Sequence, residues 1–470
     1  MTTKHLIVHG HFYQPPRQDV LTGEIPTETG TSPYQNWNEK IHAECYKPNA
    51  ELGNFSKISF NIGPTLLQWM EGYDHRVYNS ILRQEKNNYV AYGVGNGMAQ
   101  SYNHTILPLA NKMDKITQLE WGIADFVHRF GHQPAGLWLP ETAVDMVSLR
   151  LLAERGIKYT ILAPWQANEE NLDVRKPYRV NLGNGLSIAV FFYQMDISTR
   201  VSFDPGSTVN ADQFLIQYIL PYYSNGRSQT KELITVASDG ELYGHHQRFR
   251  DRFLAHLTQN TIPHHGIEIS YPGRVLKDYL ELTPVKIHED TSWSCHHGVN
   301  RWKEECPCTP GSSWKQPMRD GLNAIASLLD QVYKNMIQKY HPDPFAVRNA
   351  YIQVMLEEQS WDEFCVVWFG KQISTKDKDV LSFLMKAQVA RQWMFTSCGW
   401  FFDEFDRIEP RNNIAYAAQA VYLTELATDQ VIMNRALKKI QNIRSIRSGL
   451  QAKDVFETTY LRCIKNINPN

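Results

Sequence analysis

Short apolar runs recur through the first 285 residues, most of them followed by a segment with helical spacing. This alternation restricts the fold more than any other feature of the chain. Residues 6–8, the alternating Ile58, Phe60 and Ile62, and residues 89–94, 135–139, 159–162, 186–193 and 233–237 read as strands, with 267–271 as one more. Between them lie helical segments, notably over residues 211–222 and 247–257. Strand and helix in repeated alternation imply a parallel sheet with helical crossovers. Seven or so such units predict an α/β fold closed, or nearly closed, into a barrel. After about residue 285 the pattern changes. Residues 286–318 read as a connector loop holding Trp293, Trp302, Trp314, Cys295, Cys306 and Cys308. From residue 319 to 470 the apolar residues fall at helical spacing, as in Leu322, Ile325, Leu328, Leu329 and Val332, so this part is expected to be α-helical. The expected domains are therefore 1–285, 286–318 and 319–470. Residues 18–50, rich in Pro, Thr and Asn, read as a long loop.

Two of the strands deliver carboxylates. The run 135–139 stops at Pro140, which has no N–H for a central ladder, and Glu141 follows at once. The run 233–237 leads into Ser238-Asp239-Gly240-Glu241-Leu242-Tyr243-Gly244-His245-His246. The C-terminal strand ends of α/β folds are where chemistry is done. Each carboxylate alone reads equally well as a helix cap. Together, at two strand ends, they match the requirement of glycoside cleavage for one ionised and one protonated carboxyl group. A like-charged neighbour such as Glu241 raises the pKa of Asp239 and keeps it protonated.

Histidines also gather near strand ends: His9, His11, His104, His245 and His246. They suit contacts to sugar hydroxyls. No His-Glu-x-x-His signature accompanies them, which makes a metal the weaker reading. Cys295, His296, His297, Cys306 and Cys308 include a Cys-x-Cys but no second clean cysteine pair, so this segment is read as having no metal role. No metal and no cofactor are expected.

Composition excludes some classes. A net charge of −1 over 470 residues leaves no electrostatic footprint for nucleic acid or an anionic membrane. No apolar run has transmembrane length, and the N-terminus lacks the features of a signal peptide. Seven scattered cysteines fit free thiols, so a cytoplasmic location is expected.

These motifs resemble those of family 57 of the glycoside hydrolases, which includes α-amylases, 4-α-glucanotransferases and α-glucan branching enzymes. Trp138-Leu139-Pro140-Glu141 resembles the motif that carries the family's nucleophile. Asp239-Gly240-Glu241 with Gly244-His245 resembles the motif that carries its general acid/base. Tyr13-Gln14-Pro15, with His11 before it, resembles the first motif, with Tyr13 in place of histidine. Gly95-Asn96-Gly97-Met98 corresponds to the second, and Ser397-Cys398-Gly399-Trp400-Phe401-Phe402-Asp403-Glu404 stands where the fifth is altered. The resemblance implies an incomplete (β/α)7 barrel followed by an α-helical domain that contributes to the active-site cleft. It implies Glu141 as nucleophile and Asp239 as acid/base. Substrate contacts are expected from His11, Tyr13, Asn96, His104, Trp138, Glu241, His245, His246, Trp400 and Asp403. The implied activity is retaining hydrolysis or transglycosylation of an oligo- or polysaccharide, with an α-glucan as the expected substrate. Two other readings remain: a metal-dependent carbohydrate deacetylase or mannosidase-like enzyme, and a non-catalytic glycan-binding protein.

Overall fold

The computed structural model describes residues 4–224 and 231–467. Residues 1–3, part of the N-terminus read above as lacking a signal peptide, lie outside the described residues. The chain forms two compact units. The first comprises Met1–Gln14, Thr27–Ser101 and Phe126–Trp293, and the second Pro15–Pro26, Tyr102–Asp125 and Ser294–Asn470. The helical unit thus begins at Ser294 and also takes two earlier segments, where the sequence suggested an unbroken barrel over 1–285. Periodicity identifies a helix such as Lys112–Phe130, but not the body on which each part of it packs.

The first unit is built on mostly parallel strands. These are β1 (Lys4–Phe12), β2 (Ser59–Ile62), β3 (Ala99–Gln100), β4 (Leu137–Trp138) and β5 (Tyr159–Leu162), followed by β6 (Tyr178–Gly183), β7 (Leu186–Phe192), β8 (Glu232–Asp239), β9 (Glu268–Ser270) and β10 (Thr283–Pro284). Strand β1 is buried almost throughout and pairs in parallel with β8 along one edge, and with β2 and β9 along the other. Bridges from Phe60 to Gly97 and from Gly136 to Tyr159 carry the order onward through β3, β4 and β5, and β5 pairs with β7. The second edge of β7 is taken by antiparallel β6. The ring of seven parallel strands β8-β1-β2-β3-β4-β5-β7 therefore stays open between β7 and β8, bridged by one hydrogen bond from the Gln194 N–H to the Thr235 carbonyl (2.7 Å). This is an incomplete (β/α)7 barrel. Its interior holds Ile7, Met98, Trp138, Tyr159, Ile161, Phe191 and Tyr193.

Two local expectations are corrected. Residues 89–92 end the helix His75–Tyr92, capped by Asp74 at its start and by left-handed Gly93 at its end. Val90 is 75% exposed; the β-branched and aromatic run carried strand propensity, but the amphipathic helix overrides it. Within the expected loop 18–50, residues 37–51 form one helical stretch, with a π-helical turn over His42–Tyr46. Its polar exposed face hid it.

The second unit is helical, with long helices Lys315–Ile337, Thr375–Trp393, Ile408–Leu426 and Ala452–Ile467. Tyr333, Ile337, Val347, Phe364, Leu381, Leu384 and Met385 form its apolar core. A buried ion-pair network crosses it. Asp114 accepts from Arg391 (2.6 Å) and pairs with Arg348 (3.1 Å), and Arg391 also reaches Asp330 (2.8 Å). Among the described residues, no helix is long and apolar enough to cross a membrane.

Candidate active site

In a parallel sheet, residues in register on neighbouring strands share a face. At the C-terminal ends of the strands of the first unit, register sets Asp239 beside His11, and His11 beside Asn61. The Asn61 amide donates to Gln100 Oε1 (2.7 Å), and Gln100 is in register with Trp138. Trp138, Gln100, Asn61, His11 and Asp239 thus form one row across five strand ends, and Glu141 follows Trp138 by three residues.

One layer below, His9 lies two residues before His11 on the same face. Its Nδ1 is 3.0 Å from Ser59 Oγ and its Nε2 is 3.2 Å from Asn61 Oδ1. The Asn61 amide also donates to His11 Nδ1 (2.9 Å). Both imidazoles stack on the Trp138 indole, with centroids 4.6 and 5.3 Å away. Burial pushes His9 down to about 3, helped by His11, and pushes His11 down to about 4, with the Asn61 hydrogen bond opposing in both cases. Both are therefore neutral hydrogen-bonding groups at pH 7 rather than cations.

Glu141 occupies a strained turn. Its φ is 58° and that of the following Thr142 is 50°. A left-handed β-branched residue is an uncommon and costly conformation, and such strain gathers at functional sites. A clamp holds it. Thr142 Oγ1 donates to Gln166 Oε1 (2.8 Å), and Gln166 Nε2 donates back to the Thr142 carbonyl (2.9 Å). Trp293 grips Glu141 itself: its N–H donates to the Glu141 carbonyl (3.0 Å), and its indole Nε1 donates to the carboxylate Oε2 (3.0 Å). The Trp293 ring also meets Trp138 edge-on at 5.0 Å.

Asp239 is the last residue of β8, and its side chain reaches solvent. The protein around it nevertheless withdraws it from bulk water. That desolvation, followed by the charges of Glu241 and Glu141, pushes its pKa up to about 8. Gly240 then turns the backbone flat against β1, where a Cβ would sit 2.3 Å from the Phe12 ring. The turn buries Glu241, which accepts from Tyr46 Oη (2.7 Å) and the Tyr13 N–H (3.1 Å). Burial raises Glu241 to about 7 against those hydrogen bonds. At Gly244, with φ of 143°, a Cβ would overlap the Glu44 carbonyl. The same close approach lets His245 Nδ1 meet Glu44 Oε2 at 2.5 Å.

The expected residues divide on this geometry. Glu141, Asp239, Glu241, Trp138, His11 and Tyr13 come together, with the Tyr13 ring 6.1 Å from His11. His245 is committed to Glu44, and His246 is exposed beside it. Asn96 is corrected to a structural role. Its side chain is buried and donates to the carbonyls of Phe55 and Ile58, at the opposite end of β2 from the row. Trp400 is also corrected. It is fully buried in the helical unit beneath the Arg319 guanidinium (3.7 Å), so it offers no surface to a sugar. His104 and Asp403 belong to the helical unit as well. His104 binds Ser397 Oγ (2.6 Å), and Asp403 is exposed.

Sequence reasoning overlooked Asn61, Gln100, Tyr46, Gln166 and Trp293 as site residues. Asn61 was detectable, as a polar residue inside an alternating apolar strand. Trp293 and Tyr46 lie in segments read as loops, and no spacing links them to Glu141 or Glu241.

The chain was compared with known proteins. The model of glycosyl hydrolase family 57 matches residues 13–289, and a domain of unknown function, DUF3536, matches residues 311–464. Alpha-amylase 1 of Dictyoglomus thermophilum is 22% identical over 261 residues, which are 53% of this chain and 34% of the relative. The chain thus spans about a third of that protein's length. Among solved structures, the fold is similar to an exo-type maltose-forming amylase from Pyrococcus sp. ST04, with TM-score 0.75 and 14% identity over 97% of this chain and 88% of that one. It is also similar to a family 57 branching enzyme from Pyrococcus horikoshii, with TM-score 0.62 and 15% identity over 97% of this chain and 96% of that one. With the family model covering more than half of the chain, and the motif carboxylates standing at the C-terminal ends of barrel strands β4 and β8, the protein belongs to glycosyl hydrolase family 57.

Proposed function

We propose that this protein is a retaining glycosidase or transglycosidase acting on α-linked glucans. The observation that carries the reading is the pairing at one rim of Glu141, oriented by an indole donor, with Asp239, whose pKa stands at about 8. At pH 7 Asp239 holds a proton to give. Glu141 attacks the anomeric carbon while Asp239 protonates the departing glycosidic oxygen, leaving a glycosyl ester on Glu141. Asp239, now ionised, takes a proton from the acceptor, which attacks the ester carbon and restores Glu141. Water as acceptor gives hydrolysis, and a sugar hydroxyl gives transfer. His11 and Trp138 supply a neutral hydrogen-bonding and stacking floor. The amylase and branching-enzyme relatives support α-glucans as the substrate class.

A metal-dependent deacetylase reading is not favoured. Among the described residues, the one group of side chains whose donor atoms converge for a metal lies in the helical unit, apart from the carboxylates in sequence and composition. Cysteines not joined in disulfides support a cytoplasmic location.

The test is incubation with a panel of α-glucans, with the anomeric configuration of the first product followed by proton NMR. An initial α-configured product supports the proposal. An initial β-product, or turnover of acetylated sugars alone, overturns it.

A further inference from the structure

Immediately after the barrel, at the start of the helical unit, three thiols and one imidazole face a common point. Cys295 Sγ lies 3.6 Å from Cys306 Sγ and 3.9 Å from Cys308 Sγ. His297 Nδ1 lies 3.3 Å from Cys306 Sγ and 3.4 Å from Cys308 Sγ. All four donor atoms fall within 4.8 Å of one another. A disulfide needs sulfurs about 2.05 Å apart, so these cysteines are not bonded in pairs. A tetrahedral zinc, with Zn–S of about 2.3 Å and Zn–N of about 2.0–2.1 Å, sets its ligands on edges of about 3.8 Å (S to S) and about 3.5 Å (S to N). These four spacings match four of the six edges to within a few tenths of an ångström.

We propose that Cys295, His297, Cys306 and Cys308 form a structural zinc site. Three features support it besides the distances. First, the ligands come as two close pairs, Cys295-x-His297 and Cys306-x-Cys308, the second folded into a tight turn in which the Thr309 N–H donates to the Cys306 carbonyl (2.7 Å). The missing second pair was a mixed one, and so escaped a search for cysteines alone. Second, charge balances. Three thiolates and a divalent zinc leave one negative charge. The Lys315 side chain is fully buried, donates to Thr309 Oγ1 (2.9 Å), and lies within electrostatic range of Cys306 and Cys295. Burial pushes Lys315 down to about 7, and an anionic zinc–thiolate centre would favour its charged form.

Third, the segment needs a staple. Residues 294–314 hold one short 3-10 turn, Asn300–Trp302, and otherwise irregular backbone. Yet this stretch buries Trp302 and Trp314 and presents the Trp302 carbonyl to Arg319 Nη2 (2.7 Å) and Nε (3.0 Å). Irregular chain is fixed in small metal-binding modules by the ion itself. Four protein donors leave no open coordination position, which marks the site as structural rather than catalytic. Soft thiolates with one imidazole in tetrahedral array select zinc among common divalent ions.

The experiment uses the full-length protein, expressed in zinc-supplemented medium and purified under reducing conditions. Bound metal is measured by inductively coupled plasma mass spectrometry after gel filtration. About one zinc per chain is expected, released by a mercurial reagent with a fall in melting temperature. Cys306→Ser and Cys308→Ser should retain less than about a tenth of that zinc. Cys398→Ser, a thiol elsewhere in the helical unit, should retain all of it. If the serine variants fail to fold, cobalt loaded into the wild-type chain decides the matter. A thiolate-to-cobalt charge-transfer band with intense visible tetrahedral bands supports the site. Wild-type protein that is folded but binds neither zinc nor cobalt in this way, or that carries a Cys295–Cys306 disulfide, overturns the proposal.

Discussion

Three carboxyl groups share the rim, and their environments give them different tasks. Asp239 titrates high because desolvation and the Glu241 and Glu141 charges all disfavour its anion. Glu241 is fixed by Tyr46 and the Tyr13 N–H and does not need to react. In the proposed reaction the alkaline limb of activity reports Asp239 losing its proton. Glu241→Gln removes a negative neighbour, so the Asp239 anion becomes easier to form and its pKa falls. The alkaline limb of kcat/KM should therefore move to lower pH. A pH–rate profile of the variant checks this; a limb that stays in place or moves to higher pH removes Glu241 from the account.

At the scale of elements, the site depends on where each strand stops. Strand β4 ends at Trp138, and Pro140 then throws Glu141 and Thr142 into left-handed backbone. Gln166, on the turn after β5, is the partner of both the Thr142 hydroxyl and its carbonyl. Gln166→Ala should let the turn relax and misplace Glu141, the proposed nucleophile. Turnover should fall by about 100-fold, the scale expected for a misplacement of about 1 Å. KM should change little, because the row from Trp138 to Asp239 is untouched. Steady-state kinetics with circular dichroism as a folding control test this, and loss of substrate affinity alone would contradict it.

The strands that lead to Glu141 and Asp239 were legible in sequence because each is a short apolar run ending in Pro or Gly beside a carboxylate. Strand β3 was not, since Ala99 and Gln100 carry no strand signal, and the nearby aromatic run 89–94 carried a misleading one. Trp400 was misread for a related reason. An aromatic beside acidic residues looks like a sugar platform, but burial under Arg319 is a tertiary fact that local sequence does not contain.

At the scale of the whole molecule, the chain builds two units with different cores. The barrel unit is held by strand pairing that stays open between β7 and β8, and the helical unit is crossed by the Asp114–Arg391–Arg348–Asp330 network. Burial opposes ionisation of Asp114, but Arg391, Arg348 and Gln392 overcome it and hold its pKa below the usual value. A depressed carboxylate pKa contributes stability that is present above the unfolded value of about 3.9 and is lost as pH falls through the folded one. Asp114→Ala leaves two buried guanidinium groups short of an anion and should cost about 3–5 kcal/mol at pH 7. Its deficit relative to wild type should shrink below about pH 4. Urea unfolding at both pH values measures this, and an equal deficit at both would show that packing, not charge, is what Asp114 contributes. The division of the chain was only partly legible, because segments 15–26 and 102–125 join the helical unit without any change in composition to announce it.

The central claim is that Glu141 and Asp239 divide the chemistry as nucleophile and acid/base. The most direct measurement is azide rescue with an activated α-glucosyl substrate in Glu141→Ala, Asp239→Asn and Glu241→Gln. Azide needs no base, so in Asp239→Asn it should intercept the glycosyl ester and give the retained α-glycosyl azide. In Glu141→Ala azide should fill the space of the missing carboxylate, attack directly and give the inverted β-azide. Glu241→Gln should turn over without azide. Retained azide from Glu141→Ala, or rescue confined to Glu241→Gln, would contradict the assignment.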